Sequence, residues 1–278
     1  MAYPRGKTNS NPIKYNTTIP GGTVTYPLKW DQDAEHYYET GVERAVLFLK
    51  KDQGAATGAP TFYGVAPTGA EAPTVALTNH YYYGGVAWNG LISCTQSPEG
   101  ADTEDLYADN DKYLTMRGVE SFAGSISAYT YPDKWEEADG ISVPVAGMKV
   151  HGQTRQAFGL AYTTREGNDI DGDGFAYKMH LIYGATASPS DREYSTVNDS
   201  PEAIEFSWDF ETTPISDNVN DVSMSTAYIE ISSADVSDNA WTNLCCAVFG
   251  DDTESTSYED CPAFLPTPSE LYSLLNVQ

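Results

Sequence analysis

Apolar and polar residues alternate along several segments of this chain, and this pattern is typical of half-buried β-strands. The alternation is clear over residues 121–129. One face of that segment carries Phe122, Gly124, Ile126 and Ala128. Further strands are predicted at residues 41–49, 86–94, 157–164, 177–183, 204–210 and 224–231. At least seven strands with polar turns between them predict an antiparallel β-sandwich or barrel.

The predicted strand at 204–210 has an apolar side chain at every second position. These side chains are Ile204, Phe206, Trp208 and Phe210. Because alternate residues of a strand share a face, we expect Trp208 to lie in the core. The same argument predicts two further groupings along the chain. Phe158, Leu160 and Tyr162 share one face, and Tyr228 lies opposite Ile229 and Ile231.

Helical patterns are short and few. The candidates are residues 132–138, 240–249 and 269–275. Pro268, Ser269 and Glu270 form a conventional start for the last one. A parallel α/β sheet needs crossover connections of about a dozen or more residues between its strands, usually helices. The predicted fold class is therefore mostly β.

Composition divides the chain into two parts. Residues 1–40 are polar, rich in Pro, Asn, Thr and Gly, and lack sustained periodicity, so they predict an extended N-terminal arm. Residues 41–278 contain all the predicted strands and are expected to form the β-sandwich domain. Glycine and proline residues in 52–73 predict a loop or a weakly paired hairpin.

Residues 95–115 lie between two strong strand patterns and are predicted to form a long loop of about 20 residues. Loops of this length are uncommon in compact domains and are usually functional or disordered. Apolar side chains lie among acidic ones there, and a purely solvated loop would not need them. Apolar anchors ringed by polar groups are typical of a protein–protein interface. The candidate interface residues are Glu99, Asp102, Asp105, Leu106, Tyr107, Asp109, Tyr113 and Leu114.

The charge balance is strongly acidic, with 40 acidic and 15 basic residues and a net charge of −25. Such a surface repels phosphate groups, which argues against a nucleic-acid-binding protein and against docking on an anionic membrane. High solubility or adaptation to salt is one interpretation, and a surface that faces nucleic acid without holding it is another. Without an apolar secretory signal or a stretch long enough to span a bilayer, the chain is expected to be made in the cytoplasm.

The cysteines show no metal-binding pattern. They are Cys94, Cys245, Cys246 and Cys261, without CxxC spacing and without a nearby histidine pair. In a reducing cytoplasm we expect them to behave as small buried apolar residues. A bridge between Cys246 and Cys261 is the alternative.

Residues 169–174 match the first half of a calcium-binding loop, because Asp169, Asp171 and Asp173 occupy positions 1, 3 and 5 and a glycine follows. Position 12 would be His180 instead of glutamate, and the flanking segments have strand patterns instead of helical ones. Aspartate and glycine are also favoured in hairpin turns. We interpret the segment as a solvated turn and expect no metal site.

Motifs of catalysis are missing from the sequence. It contains no nucleophile elbow, no P-loop and no dinucleotide-binding glycine motif, and its four histidines are far apart. We therefore expect neither an enzyme nor a cofactor. The run His80-Tyr81-Tyr82-Tyr83 could stack on a sugar, but aromatic runs in strands more often pack in a core or interface, and we favour packing.

Several short segments follow one another in a recognisable order. The first are Ser97-Pro98-Glu99-Gly100-Ala101-Asp102, Asp105-Leu106-Tyr107-Ala108-Asp109-Asn110, Tyr113-Leu114 and Tyr129-Thr130-Tyr131-Pro132-Asp133. The later ones are Arg155-Gln156-Ala157-Phe158-Gly159-Leu160, Tyr177-Lys178-Met179-His180-Leu181-Ile182-Tyr183-Gly184 and Asn198-Asp199-Ser200-Pro201-Glu202-Ala203. Over roughly residues 40–278, this ordered set resembles the major tail tube proteins of long-tailed bacteriophages with non-contractile tails, particularly those infecting Gram-positive bacteria.

The resemblance implies a β-sandwich with one flanking helix that assembles into hexameric rings. The rings stack into the tail tube of the virion, whose lumen conducts the viral DNA without specific binding. An acidic lumen suits this role, since it repels DNA phosphates. The implied partners are further copies of the chain and the tape measure, tail terminator and distal tail proteins, with no membrane and with assembly in the host cytoplasm. The segment 95–115 would then reach a neighbouring ring, and its candidate residues would be inter-ring contacts.

Two other functions stay open at this stage. A virion-surface or secreted module that binds carbohydrate or a cell wall would share the strands, the acidity and the aspartate-rich turn. The tube of a contractile injection system would share the structural role. Rings or tubes in electron micrographs would favour a structural role, whereas dispersed monomers that bind glycans would favour the binding module.

Overall fold

The structure is a computed structural model that describes residues 15–19, 22–26, 36–51, 61–64, 72–77, 80–100, 103–117, 121–189, 192, 194, 196, 203–250 and 263–276. The strands of its first half are β1 Tyr15–Ile19, β2 Gly22–Tyr26, β3 Tyr38–Leu49, β4 Thr61–Tyr63, β5 Thr74–Ala76, β6 Val86–Trp88, β7 Leu91–Glu99, β8 Thr103–Ala108 and β9 Asp111–Arg117. Those of its second half are β10 Ser121–Ala128, β11 Ser142–Val145, β12 Met148–Val150, β13 Phe158–Asn168, β14 Gly172–Ala187, β15 Phe206–Thr212, β16 Ile215–Val219, β17 Val222–Thr226 and β18 Tyr228–Ser232. The helices are α1 Trp135–Ala138, α2 Asp238–Phe249 and α3 Pro268–Leu275.

Eight strands form one antiparallel sheet in the order β6-β3-β13-β14-β15-β10-β7, with β18 as a further partner of β14. β13 lies along one edge of β14, and the other edge is shared by two strands. Residues 178–182 of β14 pair with β18, and residues 185–187 pair with β15. The sheet folds back on itself, so that β3 and β13 face β10 and β15 across a common core. The mostly β, antiparallel sandwich predicted from the sequence is confirmed.

Gly184 allows β14 to change partners along its length. Its φ of +61° lies in the left-handed region, and a Cβ atom there would be 2.1 Å from the carbonyl oxygen of Thr213. The N–H of Thr213 donates to the Gly184 carbonyl at 2.9 Å, which fixes this close approach. The register between β13 and β14 also shifts nearby, between Phe158 and Leu160. Bulges of this kind bend a strand, so β14 can belong to both layers.

The inner core lies between the two layers and is rich in aromatic rings. The ring centroids of Trp88 and Trp135 are 4.7 Å apart, and those of Trp135 and Trp208 are 5.2 Å apart. Most predicted core faces are confirmed by burial in this cluster: Ile126, Ala128, Phe158, Leu160, Tyr162, Trp208 and Phe210. The prediction for Ile204 was wrong, since this side chain is 39% exposed. The pairing of β15 with β10 ends at Phe206, and Ile204 lies beyond it.

An outer core covers the opposite face of β3, β13 and β14. The buried sheet residues are Val46, Phe48, Ala161, Met179, Leu181 and Tyr183, and the helices contribute Trp241, Leu244, Cys245, Val248 and Leu271. The start of α2 is capped by Ser237, whose hydroxyl accepts the N–H of Ala240 at 3.3 Å. α3 begins with a capping box of Thr267 and Glu270, as the sequence predicted for its start.

The strand predicted over 224–231 is interrupted at Ala227, which separates β17 from β18. The N–H of Tyr183 donates to the Ala227 carbonyl at 2.9 Å, where the chain leaves the β16–β17 hairpin and joins β14. As predicted, Tyr228 packs on the inner core while Ile229 and Ile231 pack on the outer core.

The start of the predicted β-domain falls inside β3, which already begins at Tyr38. Of the predicted N-terminal arm, the structure describes the β1–β2 hairpin and residues 36–40. The rest of the arm lies outside the described residues, and its extended conformation stays a prediction. β4 pairs with β5 as a short hairpin, so the predicted loop or weakly paired hairpin at 52–73 contains the first strand of this hairpin, and the second strand follows it.

Candidate functional site

The predicted interface segment contains a β-hairpin instead of an irregular loop. β8 and β9 pair from Thr103↔Arg117 to Ala108↔Asp111. Asp109 and Asn110 form the turn with φ values of 53° and 64°, which is the geometry of a two-residue hairpin turn. We call residues 103–117 the projecting hairpin. The sequence did not reveal its strands because both faces are exposed to solvent, and Tyr107 and Tyr113 interrupt the alternation of apolar and polar positions.

The projecting hairpin stands out from the sandwich. Its strands pair with each other and with no other strand in the described chain. With six residues in β8 and about 3.4 Å per residue, it extends by roughly 20 Å. The side chains of residues 103–116 are all exposed, and the tyrosines at 107 and 113 are 71% and 76% exposed. A structure of this length can reach a second molecule.

The two faces of the projecting hairpin differ in chemistry. Directly paired residues share a face, and the pair Leu106↔Leu114 adjoins the pair Glu104↔Met116. This face is therefore largely apolar, although its leucines and methionine are exposed. On the other face, Lys112 Nζ lies 2.7 Å from the Asp105 carboxylate, which also accepts a hydrogen bond from Thr115. The hydrogen bond from Lys112, and to a smaller extent the one from Thr115, lowers the pKa of Asp105.

The eight candidate interface residues do not all belong to the hairpin. Asp105, Leu106, Tyr107, Asp109, Tyr113 and Leu114 lie on it, close together and exposed. Glu99 is the last residue of β7 and pairs with Ser121 of β10, so it belongs to the sheet. Asp102 lies outside the described residues. Sequence composition thus identified an apolar and acidic segment, and the structure shows that most of this segment is an exposed β-hairpin.

A polar cavity of about 470 Å³ opens between β3, β7, β13, β14 and β18. At its base the His180 ring stacks on Tyr162, with centroids 4.6 Å apart. Nδ1 of His180 lies 2.6 Å from the Tyr228 hydroxyl, and Nε2 lies 2.8 Å from the hydroxyl of Thr164. The amide of Gln96 donates to both tyrosine hydroxyls. Sequence reasoning treated His180 as isolated, since its partners come from separate strands and no spacing indicates them.

Burial disfavours the charged forms of two groups beside this cavity, His180 and Cys94. Burial lowers the pKa of His180, against an opposing effect of the Glu39 carboxylate. Burial also raises the pKa of the Cys94 thiol to about 11, so the thiol is protonated at neutral pH. Both ring nitrogens of His180 lie within hydrogen-bond distance of hydroxyl groups of the protein. The arrangement stabilises the junction of four strands.

The aspartate-rich turn at 169–174 joins β13 to β14. Each carboxylate there has a different partner within the protein. Asp169 lies 3.1 Å from His36 Nδ1, Asp171 accepts from the Asn168 amide at 3.1 Å, and Asp173 accepts from the Tyr38 hydroxyl at 2.6 Å. Among the described residues, no group of three or more His, Cys, Asp or Glu side chains could hold a metal ion. The geometry is that of a hydrogen-bonded turn.

Adding a calcium chelator is expected to leave the melting temperature unchanged, because these carboxylates already have hydrogen-bond partners. A site saturated one hundredfold above its Kd would stabilise the fold by about 2.7 kcal/mol, which thermal melts detect easily. Melts in chelator, in buffer and in excess calcium make the comparison. A calcium-dependent rise that Asp171→Asn removes would show that the turn binds the ion.

The run of aromatic residues at 80–83 packs mainly inside the protein, as predicted. His80 is 6% exposed, and its Nε2 lies 3.1 Å from Glu270. The hydroxyl of buried Tyr82 accepts the N–H of Gly184 at 3.1 Å. Tyr83 forms a β-bridge with Phe264, whereas Tyr81 is 49% exposed. Three of the four residues are therefore fixed by packing.

No helix in the described part of the chain is long and apolar enough to cross a membrane. Cys245 is buried in the outer core, and Cys94 is partly buried against the inner one, which agrees with the small apolar role predicted for them. Cys261 lies outside the described residues, so the alternative bridge to Cys246 stays a prediction.

No protein-family model and no curated protein matches this sequence. The resemblance to tail tube proteins therefore stays an expectation from the sequence. The projecting hairpin, the polar cavity and the distribution of charge are the observations from which a function can be inferred.

Proposed function

We propose that this chain is the structural subunit of a viral tail tube, which self-assembles into stacked hexameric rings and conducts the genome to the host. The projecting hairpin is the observation that carries this proposal. It presents its apolar and aromatic side chains to solvent: Leu106, Tyr107, Tyr113, Leu114 and Met116. Contiguous exposed apolar groups beside polar ones mark interaction surfaces in soluble proteins.

Unpaired sheet edges support the same proposal. Within the described residues, β6 and β7 are the terminal strands of the large sheet, and β18 pairs with β14 alone. An edge strand presents backbone N–H and C=O groups that a strand of another molecule can pair with. A contact between two different surfaces of identical subunits closes into a ring when its rotation allows, and a second such contact stacks the rings.

Within this proposal, the main partner of the chain is a second copy of itself. Tape measure, tail terminator and distal tail proteins would meet the tube, which is assembled in the host cytoplasm and located in the virion tail. We propose no catalytic role and no cofactor.

Assembled tubes are expected to bind little double-stranded DNA at physiological salt. The subunit carries a net charge of −25, and like charges repel the phosphate backbone at close range. Co-sedimentation of tubes with labelled DNA at about 0.15 M salt measures this, with a basic DNA-binding protein as the positive control. Tight binding that weakens steeply with salt would contradict the proposed non-adhesive lumen.

Negative-stain electron microscopy of the purified chain over a range of concentrations tests the proposed function. Rings or tubes are expected, because the projecting hairpin and the sheet edges both offer contacts. Sedimentation velocity on the same samples gives the size of the species. Dispersed monomers at every concentration, together with binding to a glycan array, would overturn the proposal in favour of a carbohydrate-binding module.

A further inference from the structure

Three cationic side chains are gathered on one surface of this acidic protein: Lys50, Lys51 and Arg155. None of them has a carboxylate partner in the part of the chain that the structure describes. Six other described cations are held in ion pairs with carboxylates, namely Lys112, Lys134, Lys149, Arg165, Lys178 and Arg192. In a chain with 40 acidic and 15 basic residues, three described cations without an ion pair to a described carboxylate stand out.

These cations line a cavity of about 930 Å³, which we call the basic cleft. The size falls within the usual range of binding clefts. Its other walls include the exposed ring of Tyr81 and the side chain of Ile215 at the start of β16. Lys51 Nζ lies 3.3 Å from the centre of the Tyr83 ring, so an aromatic face holds this cation in place.

Two carboxylates also line the basic cleft, but the protein already uses both. Asp217 accepts the N–H groups of Ser269 and Asn218, each at 2.8 Å. Glu270 accepts the Thr267 N–H at 2.7 Å as part of the helix cap and lies 3.1 Å from His80. These oxygens are bound to N–H groups of β16 and α3 and to His80, and no ion pair between either carboxylate and the three cations is found among the described residues.

Arg155 gives an independent indication that an acceptor is missing. Its Nε atom is buried and has no hydrogen-bond partner in the described structure. A buried donor without an acceptor costs free energy, on the order of 1–3 kcal/mol. A carboxylate entering the basic cleft would supply an acceptor for a guanidinium group, which binds carboxylates especially well.

The projecting hairpin has the complementary chemistry at its tip. Asp109 lies in the turn and Asp111 directly after it, between the exposed rings of Tyr107 and Tyr113. The aspartate-rich turn at 169–174 is a poorer match, because its carboxylates are bound to side chains of their own subunit, whereas the bond recorded for Asp111 is to the N–H of the next residue. The hairpin tip therefore offers two acidic groups and two aromatic rings at the end of an extended arm.

We propose that the basic cleft receives the tip of the projecting hairpin of a second copy of this chain. Asp109 and Asp111 then face Lys50, Lys51 and Arg155, while the tyrosines pack against the apolar wall. The inference rests on the proposed self-assembly and identifies the receptor surface for it. Hairpin and cleft share no residue, which is the condition for a head-to-tail contact that repeats from one subunit to the next.

Charge reversal with rescue tests this contact. The cleft variant carries Lys50→Glu and Lys51→Glu, and the hairpin variant carries Asp109→Lys and Asp111→Lys. Each variant alone places like charges together, and its self-association should weaken at least about tenfold. Combining all four changes in one chain restores opposite charges and should restore association. Mixing the two single-surface variants should also restore association, because the acidic cleft of one variant then meets the basic hairpin tip of the other.

Two matched variants control for net charge at exposed positions elsewhere. Lys134→Glu with Arg165→Glu matches the cleft variant, and Glu205→Lys with Glu211→Lys matches the hairpin variant. Thermal melts establish that each protein is folded, and neutral Lys50→Gln with Lys51→Gln should give an intermediate loss. Sedimentation velocity at low and high salt is the readout, since screening weakens charge contacts.

The outcomes separate this inference from the proposed function. If the wild-type chain assembles and the cleft variant assembles equally well, the basic cleft is not the receptor and self-assembly stands. If the fourfold variant recovers but the mixture does not, the contact forms within one subunit, which overturns the contact between copies. A wild-type chain that never associates overturns the proposed function and this inference together.

Discussion

Trp208→Asp is expected to abolish folding. The Trp208 side chain is 1% exposed and lies at the centre of the inner core. Its ring is within 6 Å of four other aromatic rings: Trp88, Tyr131, Trp135 and Phe206. A carboxylate there would be buried without a partner, which costs several kcal/mol, and domains are stable by only about 5–15 kcal/mol. Circular dichroism and thermal melts of the purified variant measure the effect.

Two further substitutions show whether the effect comes from the buried charge. Trp208→Phe keeps an apolar ring, and the indole N–H of Trp208 has no hydrogen-bond partner in the described structure, so this variant should still melt cooperatively. Tyr113→Asp places the same charge on a side chain that is 76% exposed and should leave the melting temperature nearly unchanged. A soluble, cooperatively melting Trp208→Asp protein would mean that the inner core has been assigned to the wrong face of β15.

Removing the projecting hairpin should leave a folded subunit that no longer forms long tubes. The replacement of residues 103–117 by a short Gly-Ser linker spares Glu99, which pairs with Ser121 in the sheet. Loop-closure entropy changes slowly with length, so the cost should stay below about 1 kcal/mol and the melting temperature should move by only a few degrees. Electron microscopy beside a thermal melt separates assembly from folding.

Milder substitutions test whether assembly needs the apolar face of the hairpin or only the presence of the hairpin. Leu106→Asn with Leu114→Asn removes the central apolar pair while leaving the backbone pairing in place. Ile170→Asn with Tyr194→Asn removes comparable exposed apolar surface elsewhere and should assemble normally. Tubes of normal length from the shortened protein would show that the hairpin makes no contact along the tube axis.

The faces of several strands were predictable from the sequence alone. In β10 and β15, one face is buried in the inner core and the other is polar, so burial and hydrophobicity alternate together. The start of α3 was predictable for a different reason, because Pro268 and Glu270 make local contacts in the first turn. Both kinds of prediction depend on neighbours that are close in sequence.

Other features gave no such signal. The sequence predicted a strand at 177–183 within β14, but it did not indicate that β14 is buried on both faces, with Ile182 in the inner core and Leu181 in the outer one, or that it changes partner at Gly184. The projecting hairpin is exposed on both faces, so its composition was visible and its conformation was not. A period-two pattern reports a difference in burial between two faces, and neither element has such a difference.

The sequence by itself determined that this is a strongly acidic β-protein, with Trp208 in its core and an exposed apolar segment at 105–114. Those properties follow from composition and from contacts between near neighbours. Only the tertiary structure decided that His180 is enclosed by tyrosines from other strands and that Lys50 and Arg155 share one cleft. Residues 105 positions apart come together there because β3 and β13 pair along their length, and such pairing depends on the whole sheet.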